Sequence, residues 1–384
     1  MHLESGPALL VIAGGAALLP IVARRIKVLP MVAEILFGII LSFLGFRNNM
    51  SGNWLPFLAH FGFLMLMFHA GLEIDFQALR REKPFDILIC LFIYCLTLTM
   101  AYGAALLLGH GLFLALVFST TSLDLALSAL RELKLSKTPF GQSVLLCATL
   151  ADFLTLLGLT VFVLYSDLGF SAQLFKPLPI FFVFALALWG LRLLAWWYPH
   201  QATKLLGGSD PLELGVRAVL ALLFIFVGLS ELVGMEPILG AFLGGCVLSI
   251  IFEDRGLVEE KLAGFAYGFL IPIFFINVGL QFPTEALLRP DFLFLSGKLL
   301  VIALLVKLLP SFLLRFRGLS YRSCFSAGIL LSARLSLIIA SASIGVEKGL
   351  IPKELEPSIL GLALITAAAC PIIFRRLAPD KNSL

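Results

Sequence analysis

Apolar windows of about 20 residues, each long enough to span a bilayer, recur along almost the whole chain. They predict thirteen helices, roughly 8–23, 31–46, 54–73, 85–108, 111–130, 141–165, 174–198, 211–233, 236–252, 263–281, 291–314, 321–346 and 354–376. The windows at 31–46 and 236–252 are the weakest candidates for a full crossing. Spans one to six and eight to thirteen make two six-helix units, with span seven between them. An odd number of crossings between equivalent ends inverts one unit relative to the other, as in many membrane proteins built from internal repeats. The expected fold is an all-α polytopic membrane protein of about 13 transmembrane helices. It has a first repeat over 1–165, a linker helix at 174–198, a second inverted repeat over 211–376, and a short tail at 375–384.

Two matching spans break the apolar pattern. Span five opens with Ser119, Thr120, Thr121, Ser122 and Asp124. Span twelve, its equivalent, carries Ser323, Ser326, Gly328, Ser332, Arg334, Ser336, Ser341 and Ser343. Polar or interrupted spans at corresponding places in two halves point to a central site, with broken helices crossing at mid-membrane. Close helix packing through Ser and Gly is the plainer reading. It leaves Asp124, Asp152 and Arg334 without a reason.

Composition sharpens the membrane reading. Charged residues make up 14% of the chain and apolar ones 60%, against about 25% charged in a soluble protein. The formal net charge of +4 comes from short basic loops and does not suggest nucleic acid. Loops after odd-numbered spans, with the tail, hold eighteen Lys and Arg; the other side holds Arg47, Lys176, Arg289, Lys348 and Lys353. That bias predicts an outside N-terminus and a cytoplasmic C-terminus. The start, MHLESGPALL, lacks a basic signal region, so the first span is expected to be retained. The six cysteines show no metal-type spacing and are read as small buried hydrophobes. GGAALLP and GAFLGG are small-residue helix surfaces, not phosphate loops, and no cofactor is expected.

The residues that could carry chemistry are few. Asp152 has no charged neighbour from Gly141 to Tyr165, and a carboxylate at that depth is costly unless used. It could hold a proton or a desolvated cation, but not both, which is the minimum equipment of an exchanger. A neutral Asp hydrogen-bonded between helices is the structural alternative. The hydroxyls of Ser119, Thr120, Thr121 and Ser122, with freed carbonyls, suit a hard monovalent ion such as Na⁺ or K⁺. Asp124 either faces that site or caps a half-helix. Lys307 can snorkel or pair with an Asp, while Lys298 is nearer an end and snorkels. Arg334 keeps its charge and needs a carboxylate or several carbonyls, such as the broken end of span twelve. Asn277 can hydrogen-bond to the interrupted helices, with Pro272 and Gly279 marking a kink or close contact beside it. Glu73 and Asp75 are expected to pair with Arg80 or Arg81, and His69 to be a packed, hydrogen-bonded residue.

Spaced motifs carry a family resemblance. FHAGLEIDF in span three, STTSLDLALSALRELKLSKTPFG from span five, LADFL in span six, EPILGAFLGGCVLS and IPIFFINVGL occur in order across nearly the whole chain. Together they resemble the monovalent cation:proton antiporter superfamily, specifically its second branch of Kef-type potassium/proton and NapA-type sodium/proton exchangers. The resemblance implies a homodimer with a moving core and a dimerising scaffold. It makes Asp152 the carrier of cation or proton and puts the broken-helix crossing around Thr121 to Asp124. It also likens Lys307 to the basic residue beside the site, and Arg334 to one near the broken twelfth span. Ala151 replaces the first Asp of the pair found in electrogenic members, which leaves Asp124 as partner to Lys307 or as a second ligand. Leu335 and Ser336 replace the Gly-Glu common after the arginine. A regulatory nucleotide-binding domain is not expected.

The implied activity is alternating-access exchange of Na⁺ or K⁺ for protons, electroneutral with a single carrier carboxylate, and not an enzyme reaction. An organic-anion transporter on the same plan, using Arg334 and Lys307, and an uncoupled channel or sensor are the alternatives.

Overall fold

The computed structural model describes residues 6–26, 29–46, 54–73, 83–168, 186, 189–190, 213–232, 236–251, 256–282 and 290–379. Within them the regular structure is helical: α1 (Gly6–Ile26), α2 (Pro30–Phe43), α3 (Trp54–Glu73), α4 (Pro84–Leu107), α5 (Leu112–Ser119), α6 (Leu123–Glu132), α7 (Pro139–Leu168), α8 (Leu214–Leu232), α9 (Pro237–Ile251), α10 (Gly256–Phe265), α11 (Ile271–Gln281), α12 (Pro290–Ser311), α13 (Tyr321–Leu331), α14 (Ser336–Glu347) and α15 (Glu356–Leu377). A π-helical turn, Ala266–Leu270, joins α10 to α11, and a 3₁₀ segment, Phe312–Arg317, extends α12. Prolines start several helices, Pro30 in α2 and Pro84 in α4 among them, where the missing N–H costs nothing.

Eight described spans, with α5–α6 and α10–α11 each counting as one, are long and apolar enough to cross a membrane; α13 and α14, bent by 46° at their break, make a ninth. The windows at 31–46 and 236–252 hold shorter apolar helices, α2 and α9. There the helices have 14 and 15 residues, about 21–23 Å of helix against a hydrocarbon core of about 30 Å. The linker at 174–198 lies outside the described residues apart from 186, 189 and 190, as do Asp75, Arg80 and Arg81.

The chain forms two compact units, and each draws on both halves of the sequence. The first is Met1–Ala78 with Leu164–Phe282; the second is Leu79–Val163 with Pro283–Leu384. In the first unit α2 lies along α11 and α9 along α3. Both contacts rest on glycine pairs, Gly38 with Gly279 and Gly71 with Gly245, where a Cβ on either partner would run into the other helix's backbone. This is packing by backbone approach, the mode available when lipid removes the hydrophobic drive between helices. Gly279 therefore serves close contact, and the helical irregularity lies in the π turn just before Pro272. His69 is buried in this unit against the rings of Phe68 and Tyr267.

In the second unit α4 packs on α5 and α12, and α12 on α13 and α15. The two interrupted spans meet each other twice: α14 on α5, and α13 on α6. First half thus lies against second half in both directions.

Candidate ion-binding site

The break in span five follows from its own hydroxyls. Ser119 Oγ donates to Leu116 O at 2.8 Å, and Thr120 Oγ1 to Val117 O at 2.8 Å. Ser and Thr side chains compete in this way with the helical ladder. Thr120 and Ser122 then turn to extended backbone before α6 begins.

A helix end leaves four carbonyls without helical partners. At α5 all four are accounted for. The two hydroxyls take Leu116 and Val117. Arg334 Nη1 donates to Phe118 O at 2.7 Å, and Lys307 Nζ to Ser119 O at 2.7 Å. Lys307 Nζ also donates to Thr121 Oγ1 at 2.6 Å. Arg334 completes its set with Nη2 to Ala303 O at 3.0 Å and Nε to Ser332 O at 3.3 Å. Ser332 O belongs to the break in span twelve, so one guanidinium holds both interruptions together. Arg334 is 0% exposed and Lys307 5%. Three of these carbonyls, Phe118, Ser119 and Ser332, lie at helix C-termini, the negative end of the macrodipole.

The acidic groups sit at the opposite pole. Asp152 Oδ2 accepts from Leu123 N at 3.1 Å, at the start of α6. Its Oδ1 is buried and has no hydrogen-bond partner among the described residues. Asp124 stands in the first turn of α6 and is half-buried. Cations at the end of α5 and carboxylates at the start of α6 make the three-residue gap a polarised break inside an apolar bundle.

The structure brings Ser119, Thr121, Asp152, Lys307 and Arg334 together through these contacts, with Thr120, Ser122 and Asp124 in or beside the same break. Lys307 is buried rather than snorkelling; its hydrogen bonds go to a carbonyl and a hydroxyl, and Asp152 acts on it through charge without a direct hydrogen bond. Asn277 belongs to the first unit, on α11. Two hydroxyls escaped the sequence reading. Thr155 Oγ1 lies 3.2 Å from Ser119 Oγ and donates to Tyr94 OH at 3.4 Å, which ties α5, α7 and α4 together. The signal for Thr155 was its i+3 spacing from Asp152, on the same helix face. Glu34 of α2, 3% exposed, also went unnoticed, although it is the single charged residue of the 31–46 window.

The profile of the transmembrane sodium/hydrogen exchanger family matches residues 12–378, nearly the whole chain. The chain belongs to this family. As a sodium/hydrogen exchanger family member it is a multi-pass membrane transporter that exchanges a monovalent cation for protons. A relative named "Putative Na(+)/H(+) antiporter YjbQ", from Bacillus subtilis, is 33% identical over 384 residues; the match covers 94% of this chain and 61% of that protein. "Probable Na(+)/H(+) antiporter 3" of Methanocaldococcus jannaschii is 29% identical, over 95% of this chain and 94% of its own length. The Na(+)/H(+)-K(+) antiporter GerN of Bacillus cereus is 26% identical, over 89% and 88%. The sodium proton antiporter MjNhaP1 of Methanocaldococcus jannaschii, solved at pH 8, shares the fold. It has a TM-score of 0.64 and 14% identity, and the match covers 97% of this chain and 95% of that one.

Proposed function

We propose that this exchanger carries Na⁺ or K⁺ against protons in an electroneutral cycle, with Asp152 as the single carrier. The observation behind the proposal is the state of that carboxylate. One oxygen is oriented by the Leu123 N–H, and the other is buried without a partner. A buried unpaired carboxylate oxygen is costly, and a proton or a bare cation relieves it. Thr121 Oγ1, Ser122 and Asp124 are the nearest candidates to complete a cation shell. Lys307 and Arg334 direct their hydrogen bonds to carbonyls and a hydroxyl and leave both carboxylate oxygens free of hydrogen bonds from them. The organic-anion alternative fares worse for the same reason, since every nitrogen of Arg334 already donates to the backbone.

The proposal extends to the architecture. The chain makes thirteen crossings in two inverted repeats, 1–165 and 211–376, joined by the 174–198 helix. It lies in the inner cell membrane as a homodimer, N-terminus outside and C-terminus in the cytoplasm. Exchanged pairings support the repeat: α2 with α11 mirrors α9 with α3, and α5 with α14 mirrors α13 with α6.

The test is proton flux in proteoliposomes after addition of Na⁺, K⁺ or Li⁺, with and without valinomycin and K⁺ to clamp the potential. The expected result is a flux with one of the cations that the clamp does not change. A flux that collapses or rises with the clamp would instead make Asp124 a second transported charge. Thr121→Val gives a finer check. It removes an oxygen from the gap, worth about 1 kcal/mol or a fewfold to tenfold in cation affinity. The half-saturating cation concentration should rise by that factor while the maximal flux changes less.

A further inference from the structure

We propose that Tyr94 and Thr155 are positioning residues for the exchange: with Ser119 they form a hydroxyl chain that keeps Lys307 seated on the end of α5 and off Asp152. Thr155 Oγ1 lies 3.2 Å from Ser119 Oγ and 3.4 Å from Tyr94 OH, so the chain crosses from α5 through α7 to α4. Ser119 and Thr155 are 0% exposed and Tyr94 8%. Other hydroxyls of α4 and α7 turn back on their own helix. Thr97 Oγ1 donates to Ile93 O, Ser143 Oγ to Pro139 O and Thr160 Oγ1 to Leu156 O, each four residues back. Thr155 instead directs its hydroxyl across to two other helices. A buried hydroxyl without a partner is costly, so each member of the chain fixes the next.

The place of Thr155 on its helix gives the chain its role. α7 carries Asp152 and Thr155 one turn apart, and through them it grips the broken span on both sides. Asp152 Oδ2 accepts from Leu123 N at 3.1 Å, at the start of α6, while Thr155 meets Ser119, the last residue of α5. One turn of α7 therefore sets the width of the break. Within that grip the Ser119 carbonyl accepts from Lys307 Nζ at 2.7 Å. The competing acceptor by charge is Asp152, whose Oδ1 is buried with no hydrogen-bond partner among the described residues. Once the chain is cut, Ser119 shifts, the lysine turns to that oxygen, and its ammonium competes there with the transported cation. With the chain intact the carboxylate is left to the cation. Tyr94 and Thr155 thus set cation affinity through Ser119 and Lys307, without touching the cation. This inference rests on the reading of Asp152 as the carrier.

The experiment titrates Na⁺ and K⁺ in turn against the full chain, reading proton flux in proteoliposomes and the melting temperature in detergent. Thr155→Val and Tyr94→Phe should each raise the half-saturating cation concentration about threefold to tenfold, with maximal flux retained at saturating cation. Thr155→Ser keeps the hydroxyl and should stay near the parent. The double variant should be no worse than the stronger single one, because both cut the same chain. Lys307→Gln separates positioning from direct contact. In that background Thr155→Val should leave the cation dependence of melting unchanged, since no ammonium remains to compete. A rise that persists there would make Thr155 a ligand of the cation and overturn the positioning role. Parent-like half-saturation in Thr155→Val and Tyr94→Phe, additive effects in the double variant, or a lower melting temperature with unchanged half-saturation would overturn the chain. Asp152→Asn is run alongside. Full flux in that variant sinks the carrier reading, whereas an inactive Asp152→Asn beside a parent-like Thr155→Val sinks the chain alone.

Discussion

Asp152→Asn abolishes cation-driven proton flux in proteoliposomes while the protein remains folded. Asparagine is nearly isosteric and its carbonyl oxygen still accepts from the Leu123 N–H, so the start of α6 keeps its partner. What disappears is the charge. A neutral amide neither takes up a proton nor balances a desolvated cation. Leaving a buried ion without its counter-charge costs about 3–5 kcal/mol, roughly a hundredfold or more in cation affinity. The measurement is dye-monitored flux beside thermal unfolding of the same preparation. Full flux in D152N would end the single-carrier reading and move attention to Asp124. Asp124→Asn should be milder, raising the half-saturating cation concentration without abolishing flux, because Asp124 is half-buried and takes no part in holding the break.

Arg334→Leu produces the largest loss of stability. The side chain is 0% exposed, and its three nitrogens serve carbonyls on three separate stretches, Phe118, Ala303 and Ser332. Leucine fills part of the space and satisfies none of them. Three buried carbonyls lose their donors, at about 1–3 kcal/mol each before relaxation, so a loss of about 3–5 kcal/mol is expected once neighbours adjust. Arg334→Lys keeps the charge but not the planar fork, so it should fall between the two. The check is the yield of monodisperse protein and its melting temperature in detergent. A wild-type melt for R334L would mean that the two helix breaks hold themselves open without the guanidinium. Both outcomes are informative with D152N alongside, because one substitution removes transport without unfolding and the other unfolds before transport can be read.

Much of this was legible in residue order. The apolar windows, the run Ser119–Ser122 and the lone carboxylate at Asp152 are local features. They marked a membrane protein, a weak point in a helix and a group too costly to sit at depth unused. The lengths of α2 and α9 were less legible, since hydropathy windows blur short helices into their apolar flanks. The partners of Lys307 were legible only in part. A buried lysine suggests a carboxylate by charge alone, but the end of a broken helix presents carbonyls of equal use, and which one lies closer is a matter of packing.

That division has a physical basis. Hydropathy, hydroxyl competition with the helix and the cost of a buried charge act within a few residues, so the sequence by itself determined that this chain crosses the membrane repeatedly, that span five breaks, and that Asp152 calls for an ion or a proton. Only the tertiary structure decided what satisfies the broken ends. Lys307 and Arg334 reach Ser119 and Phe118 across 188 and 216 residues, and such contacts exist only once α12 and the second broken span pack beside the first.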